Sequence, residues 1–268
     1  MGINTPKSNF TTDNTTLDPI NLNKTLTNLK TKKINNIILE ASSHGLKQYR
    51  LHGNQFDIGI FTNLSRDHLD YHKTFKNYFD SKMILFNKLM KKNALIIYEN
   101  NLWFSKKLQN IAKKKKIKTL SIGNDNSNLK IVNQYFFNNK QQISIIFNNI
   151  KYSFETKIIG KIQIKNLLMA ILAASKIIPM KKIIQSINKI QSVNGRLEKI
   201  GVIKNNSKVI LDYAHTPDAL RTCLQNLKEQ FKNKKISIVF GCGGNRDKSK
   251  RPMMGKIADY FCDKIYLT

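Results

Sequence analysis

Short apolar segments with a two-residue alternation take turns along this chain with longer segments of helical spacing, and that order constrains the fold more than any other feature. Strand-like runs bounded by turn residues fall at 36–41, 58–62, 94–98, 117–121, 130–137, 142–148 and 151–157, then at 207–212, 236–241 and 264–268. Helical spacing occupies 74–91, 103–114, 165–176, 180–190, 217–230 and 251–261. Strands separated by helices re-enter a sheet in the same direction, so an α/β protein with a mostly parallel sheet is predicted. The stretch 130–157 has no helix between its strands. It is predicted to be a small antiparallel insert with turns at Asn138-Asn139 and Asn148-Asn149. Val193-Asn194-Gly195 marks the expected boundary between a first domain, 1–198, and a second, 199–268. The second ends on the apolar run from Lys264 to Thr268 and reads as an α/β unit cut short, its last strand leaving an edge open.

Charge decides what kind of partner to expect. The 46 Lys and Arg against 17 Asp and Glu give a formal net charge of +29, a field that attracts polyanions. Only six of the cations are arginine, which leaves 40 lysines, and Asn and Ile are abundant as well. Lys, Asn and Ile share A/T-rich codons, so the excess reads as compositional drift, with runs such as Lys113–Lys116 as solvated faces. Base-reading aromatics beside arginine are missing, and specific nucleic-acid binding is not expected. An apolar fraction of 41% and a charged fraction of 24% are those of a globular chain. The longest apolar run, Leu167 to Ala174, is far too short to cross a bilayer, and no signal peptide opens the chain. Cys223, Cys242 and Cys262 are isolated thiols without a paired framework. A cytoplasmic protein with no membrane partner is expected.

Four stretches carry chemistry. Ile37 to Leu46 places Glu40 at the predicted C-terminal end of a strand, the edge where open parallel sheets bind ligands, followed by Ser42, Ser43, Gln48 and Arg50. A carboxylate there suits Mg²⁺, and an arginine fork suits a carboxylate or phosphate. Phe61 to His72 follows the next strand; with His44 it groups three of the five histidines, and Lys82 lies in the helix beyond. Asp212 to Asp218 and Phe240 to Pro252 each come directly after a strand, the latter rich in glycine with Arg246, Lys248, Lys250 and Arg251 able to hold anions. The sequence contains no G-x-x-x-x-G-K-[ST] phosphate loop.

Together with Asn14-Thr15-Thr16, Tyr78 and Asn194 to Glu198, these strings occur in the order and spacing of the muramyl ligases of peptidoglycan synthesis, which the chain resembles over essentially its whole length. The resemblance implies a muramyl-ligase central domain followed by the start of a Rossmann-like ligase domain. It implies an ATP-dependent amide-bond ligase that adds meso-diaminopimelate to UDP-N-acetylmuramoyl-L-alanyl-D-glutamate through an acyl phosphate. A lysine-adding ligase of the same family and a non-catalytic remnant remain alternatives.

Residue by residue, the resemblance assigns Glu40 and His68 to Mg²⁺, with Lys82 carbamylated as a further oxygen ligand; these three would be catalytic. It assigns Thr15, Thr16, Ser42, Gln48 and Arg50 to the UDP-muramyl dipeptide, and Asn166, Arg196 and Asp212 to ATP. Arg246 would contact the incoming diamino acid. The family's Phe-Asn ahead of Asn166 is replaced by Ile162-Gln163, which weakens the implied adenine contacts. The N-terminal UDP-binding domain, the phosphate loop and the Asp-Asn-Pro-Arg motif expected beyond Thr268 are not in the sequence. The chain is therefore expected not to ligate alone, with a separately encoded N-terminal part among its candidate partners.

Overall fold

The computed structural model describes residues 2–5, 8–137, 140–243 and 249–268. Two short strands, β1 (Gly2–Asn4) and β2 (Asn9–Thr11), pair antiparallel. Helix α1 (Pro19–Thr31) follows, with the Asp18 carboxylate accepting from the Ile20 and Asn21 amides and proline in its first turn. These are the two residue types that open a helix most economically. The five-residue α2 (Ser43–Lys47) is capped by Ser42.

Strand β3 (Phe56–Phe61), helices α3 (Leu69–His72) and α4 (Phe75–Lys88), strand β4 (Met90–Glu99), helix α5 (Ser105–Lys115) and strand β5 (Lys118–Gly123) come next. They are the alternation the sequence promised. Strands β6 (Leu129–Phe137), β7 (Lys140–Phe147) and β8 (Ile150–Thr156) complete a six-stranded sheet ordered β3-β4-β5-β6-β7-β8. The helical crossovers make the first part parallel, and β5 pairs β6 in parallel. The last three strands form the antiparallel meander expected at 130–157. It is not a separate insert but continues the main sheet. Asn148 and Asn149 both adopt left-handed backbone, as a two-residue hairpin turn requires, whereas Asn138-Asn139 lies outside the described residues. A bulge interrupts the β6–β7 register between Ile131 and Asn133.

Helices α6 (Lys161–Ala174) and α7 (Met180–Ser186) precede the antiparallel pair β9 (Glu198–Ile203) and β10 (Ser207–Leu211). Helix α8 (Pro217–Gln230), strand β11 (Ser237–Phe240), helix α9 (Lys250–Phe261) and strand β12 (Lys264–Leu267) end the described chain, β11 and β12 pairing in parallel.

Two compact units are distinguished, one of residues 1–59, 68–96 and 106–119, the other of 60–67, 97–105 and 120–268. In the second, α6 is apolar nearly all round and buries Ile164, Leu167, Leu168, Met169, Ile171 and Leu172. Leu220, Leu224, Met254 and Ile257 form a smaller core between α8 and α9, against which Ile236, Ile238 and Phe240 pack.

One predicted strand is absent. Residues 34–42 have no regular structure, and Ile38 is fully exposed. A β-branched run becomes a strand only when a neighbour satisfies its backbone, and no described strand pairs with this one. Glu40 therefore stands on an irregular segment just ahead of α2, not at a strand end.

Candidate functional site

In the first unit, four of the five residues assigned to the dipeptide nucleotide form one hydrogen-bonded chain. The buried Thr16 hydroxyl donates to the Glu40 carbonyl (2.8 Å), lies 3.0 Å from the Ser42 hydroxyl and accepts from the Ser42 amide (2.9 Å). Arg50 donates from one terminal nitrogen to the Thr16 carbonyl (2.8 Å) and from Nε to Gln48 Oε1 (2.9 Å). Gln48 Nε2 in turn donates to the Tyr71 hydroxyl (3.2 Å). The guanidinium fork thus aligns two loops that are 34 residues apart in sequence. The fifth, Thr15, is half-buried beside Thr16 in sequence. Tyr71 was not singled out from the sequence, although it lies within the Phe61–His72 stretch.

Beside that chain lies a group of rings. His44 stands 4.9 Å from His68, 4.2 Å from Tyr71 and 5.3 Å from His72, centroid to centroid. Tyr78 lies between two candidates: His68 is edge-on to it at 5.8 Å, and the Lys82 ammonium sits 5.0 Å from its centroid. His68 has left-handed backbone, the sharp turn that lets α3 start at once. Burial pushes the His72 imidazole down to about 4, helped by the positive charges of His44, His68, Lys47 and Lys82.

The donor set bears on a metal. Among the described residues no group of three or more His, Cys, Asp or Glu side chains is placed to hold one. Glu40 offers a hard oxygen and His68 an imidazole, but Lys82 as an ammonium offers no lone pair. Only as a carbamate does Lys82 bring the set to three.

In the second unit, the Asn194–Glu198 and Asp212 stretches meet. The Asp212 carboxylate accepts from the Leu197 amide (2.8 Å) and the Ala214 amide (2.9 Å), and Tyr213 N donates to the Gly195 carbonyl (2.8 Å). Burial raises the Asp212 carboxyl above its usual range, opposed by those two amides and by the charge of Arg196. Arg196 covers the Tyr213 ring at 5.3 Å. His215, within the Asp212–Asp218 stretch but without a motif of its own, lies 3.7 Å from the Asp67 carboxylate, and its carbonyl accepts from Lys250 (2.9 Å). Asn166 sits on α6 and donates to Gln163 Oε1 (3.3 Å); no hydrogen bond joins it to Arg196 or Asp212. Arg246 lies outside the described residues.

The chain matches the Mur ligase middle domain over residues 1–174 and the glutamate ligase domain of Mur ligases over 195–268. It belongs to the Mur ligase family. The UDP-N-acetylmuramoyl-L-alanyl-D-glutamate–2,6-diaminopimelate ligase of Rickettsia bellii is 40% identical over 258 residues, 95% of this chain and 53% of the relative. The enzyme of that name from Agrobacterium fabrum is 36% identical over 95% of this chain and 52% of its own. A solved structure of a ligase of that name superposes with a TM-score of 0.74 at 28% identity, covering 99% of this chain and 55% of the other. MurF ligase from Thermotoga maritima, in complex with ADP, shares the fold at 14% identity and a TM-score of 0.66. The chain spans about half the length of the curated relatives it matches. No helix among the described residues is long and apolar enough to cross a membrane.

Proposed function

We propose that this chain is the central and ligase-domain portion of an ATP-dependent amide-bond ligase, dividing at residues 1–198 and 199–268, that extends UDP-N-acetylmuramoyl-L-alanyl-D-glutamate by meso-diaminopimelate. The observation that carries this reading is the chain from Thr16 through Ser42, Gln48 and Arg50 to Tyr71, a row of fixed donors and acceptors beside the histidine cluster. The names of the R. bellii and A. fabrum relatives support diaminopimelate over lysine as the incoming amine.

In that reaction the D-glutamate side-chain carboxylate attacks the γ-phosphorus of ATP and ADP leaves. The amine then attacks the acyl carbon, expelling phosphate and losing a proton. Mg²⁺, held by Glu40, His68 and carbamylated Lys82, would supply positive charge for the transferring phosphoryl group. Arg50 and Gln48 orient the dipeptide nucleotide, Arg196 and Asp212 face the ATP side with Asn166, and Arg246 takes a carboxylate of the amino acid.

The test is calorimetric titration of the purified chain with UDP-N-acetylmuramoyl-L-alanyl-D-glutamate, followed by an assay for tripeptide nucleotide, by the chain alone and by the chain joined to the remaining domains of a full-length relative, with ATP, Mg²⁺ and either diaminopimelate or lysine. Saturable binding lost in Arg50→Ala supports the reading; no binding overturns it. Ligation of lysine in preference to diaminopimelate would reassign the amine.

A further inference from the structure

Two adjacent serines open α2, and they point to different partners. Ser42 caps the helix, accepting from the Gly45 amide (3.1 Å), and faces Thr16. Ser43 is buried, and its hydroxyl lies 3.0 Å from His72 Nε2. The other ring nitrogen of His72, Nδ1, lies 3.3 Å from the Ser81 hydroxyl on α4. Ser81 precedes Lys82 directly.

The hydrogens in this row can be assigned. Ser81 carries one hydroxyl hydrogen, and its contact to the Asn77 carbonyl is 2.7 Å against 3.3 Å to His72. A carbonyl can only accept, so the Ser81 hydrogen is committed to Asn77, and Ser81 must accept from His72 Nδ1–H. In the neutral ring Nε2 is then the acceptor, and the Ser43 hydroxyl donates to it. His72 is buried, with His44 and Tyr78 each 5.3 Å away, so the ring is walled on two sides. The Asn77 side chain closes the arrangement by donating to the His72 carbonyl (3.1 Å).

We propose that His72 is a positioning residue: locked as the Nδ1–H tautomer, it ties the head of α2 to α4 and sets the substrate-facing Ser42 against the helix that carries Lys82. The second half of that statement rests on the function proposed above; the bridge itself does not. The argument is one of helix length. Five residues cannot hold a helix in water on their own backbone bonds, so α2 depends on its cap and on what Ser43 reaches. Thr16 and Ser42 hold one side of it, and His72 holds the other.

Two substrate-free measurements test the bridge. In ¹⁵N-histidine NMR spectra of the chain at pH 8, His72 should show a protonated Nδ1 and a bare Nε2. The opposite tautomer would overturn the proposal. In hydrogen exchange, His72→Phe should speed the α2 amides of Leu46 and Gln48, which bond to the Ser42 and His44 carbonyls, at least tenfold. Ser43→Ala, a milder change that spares the ring packing, should shift them in the same direction. Unchanged exchange in both variants would overturn the proposal.

The positioning role has its own readout. His72→Phe should weaken binding of the UDP-muramyl dipeptide at least fivefold while leaving ATP binding unchanged, and equal loss of both would overturn it. A wild-type chain that binds no dipeptide nucleotide yet shows the expected tautomer and exchange would count against the proposed function and leave the bridge standing.

Discussion

The side-chain oxygen of Asn226 on α8 accepts the backbone amide of Lys161, 65 residues earlier in the chain, at the first turn of α6. Four residues on, Gln230 Oε1 accepts from the Gly160 amide (2.8 Å). Gly160, the residue in the cap position, has no side chain to do this and adopts left-handed backbone, so the cap is supplied from another helix. A carbon at its β position would come within 2.5 Å of Leu197, which leaves glycine as the residue that fits. Asn226→Ala should lower the unfolding free energy by about 1–2 kcal/mol, and Asn226→Asp, which keeps an acceptor there, by less. Urea titration of the three proteins checks the order.

Cys223, also on α8, is half-buried, and its thiol is pushed up from its ordinary value near 9 to about 12, chiefly by desolvation and then by the charges of Asp212 and Cys262. A folded-state value above the unfolded one means that stability is fully present below pH 9 and is lost as pH rises from 9 toward 12. The unfolded chain releases this proton first. The expected slope from this group is at most about 1.4 kcal/mol per pH unit in that window. Denaturant midpoints between pH 8 and pH 10.5 should fall less steeply in Cys223→Ala than in the wild type.

Arg50 makes two directed bonds, to Gln48 and to the Thr16 carbonyl, that a lysine cannot reproduce together. Arg50→Lys should weaken the UDP-muramyl dipeptide about tenfold, or about 1.4 kcal/mol, with little change in thermal stability. Calorimetry and a melting curve separate the two effects.

Lys82 Nζ lies 5.0 Å from the Tyr78 ring centroid. With ¹³C-bicarbonate the chain should show a protein carbamate resonance that vanishes in Lys82→Arg. In ligase assays of the chain joined to the remaining domains of a full-length relative, Lys82→Ala should lose about 100-fold or more, and a short carboxylic acid should restore part of the rate. Near-normal turnover of Lys82→Ala would remove this lysine from the metal site.

The alternation of strands and helices is plain in the sequence because each period is local, and a short apolar run such as Ala94 to Tyr98, five residues bounded by polar ones, favours a buried strand over a helix. Asp18-Pro19 announces α1 by the same local logic, but the Asn and Thr residues that follow blur its apolar stripe and hide the helix from periodicity. Ile37-Ile38-Leu39 misled for the opposite reason: its composition is that of a strand, but strand formation depends on a partner that composition does not reveal. The family resemblance supplied Thr16, Ser42, Gln48 and Arg50 as candidates, and the fold joins them. Tyr71 and His215 are not among them, and His72 stands in the sequence only as one of three neighbouring histidines; their partners are met only in the folded chain.

The bulge in β6 has a consequence for how this chain tolerates change in length. Ahead of it Leu129 and Ile131 turn inward; beyond it Gln134 and Phe136 do, while Tyr135 and Phe137 stand exposed. The extra residue therefore inverts the odd-even rule of the strand midway along. Deleting Val132 would remove the extra residue and leave a regular ladder, Asn133 following Ile131 as Ser144 precedes Ile145 on the facing strand. Gln134 would stay turned inward, beside the buried Gln141 with which it pairs at 2.8 Å. Deleting Tyr135 instead, where the alternation is already regular, would turn Phe136 outward and Phe137 inward, so a one-residue gap changes parity along this strand except at the bulge.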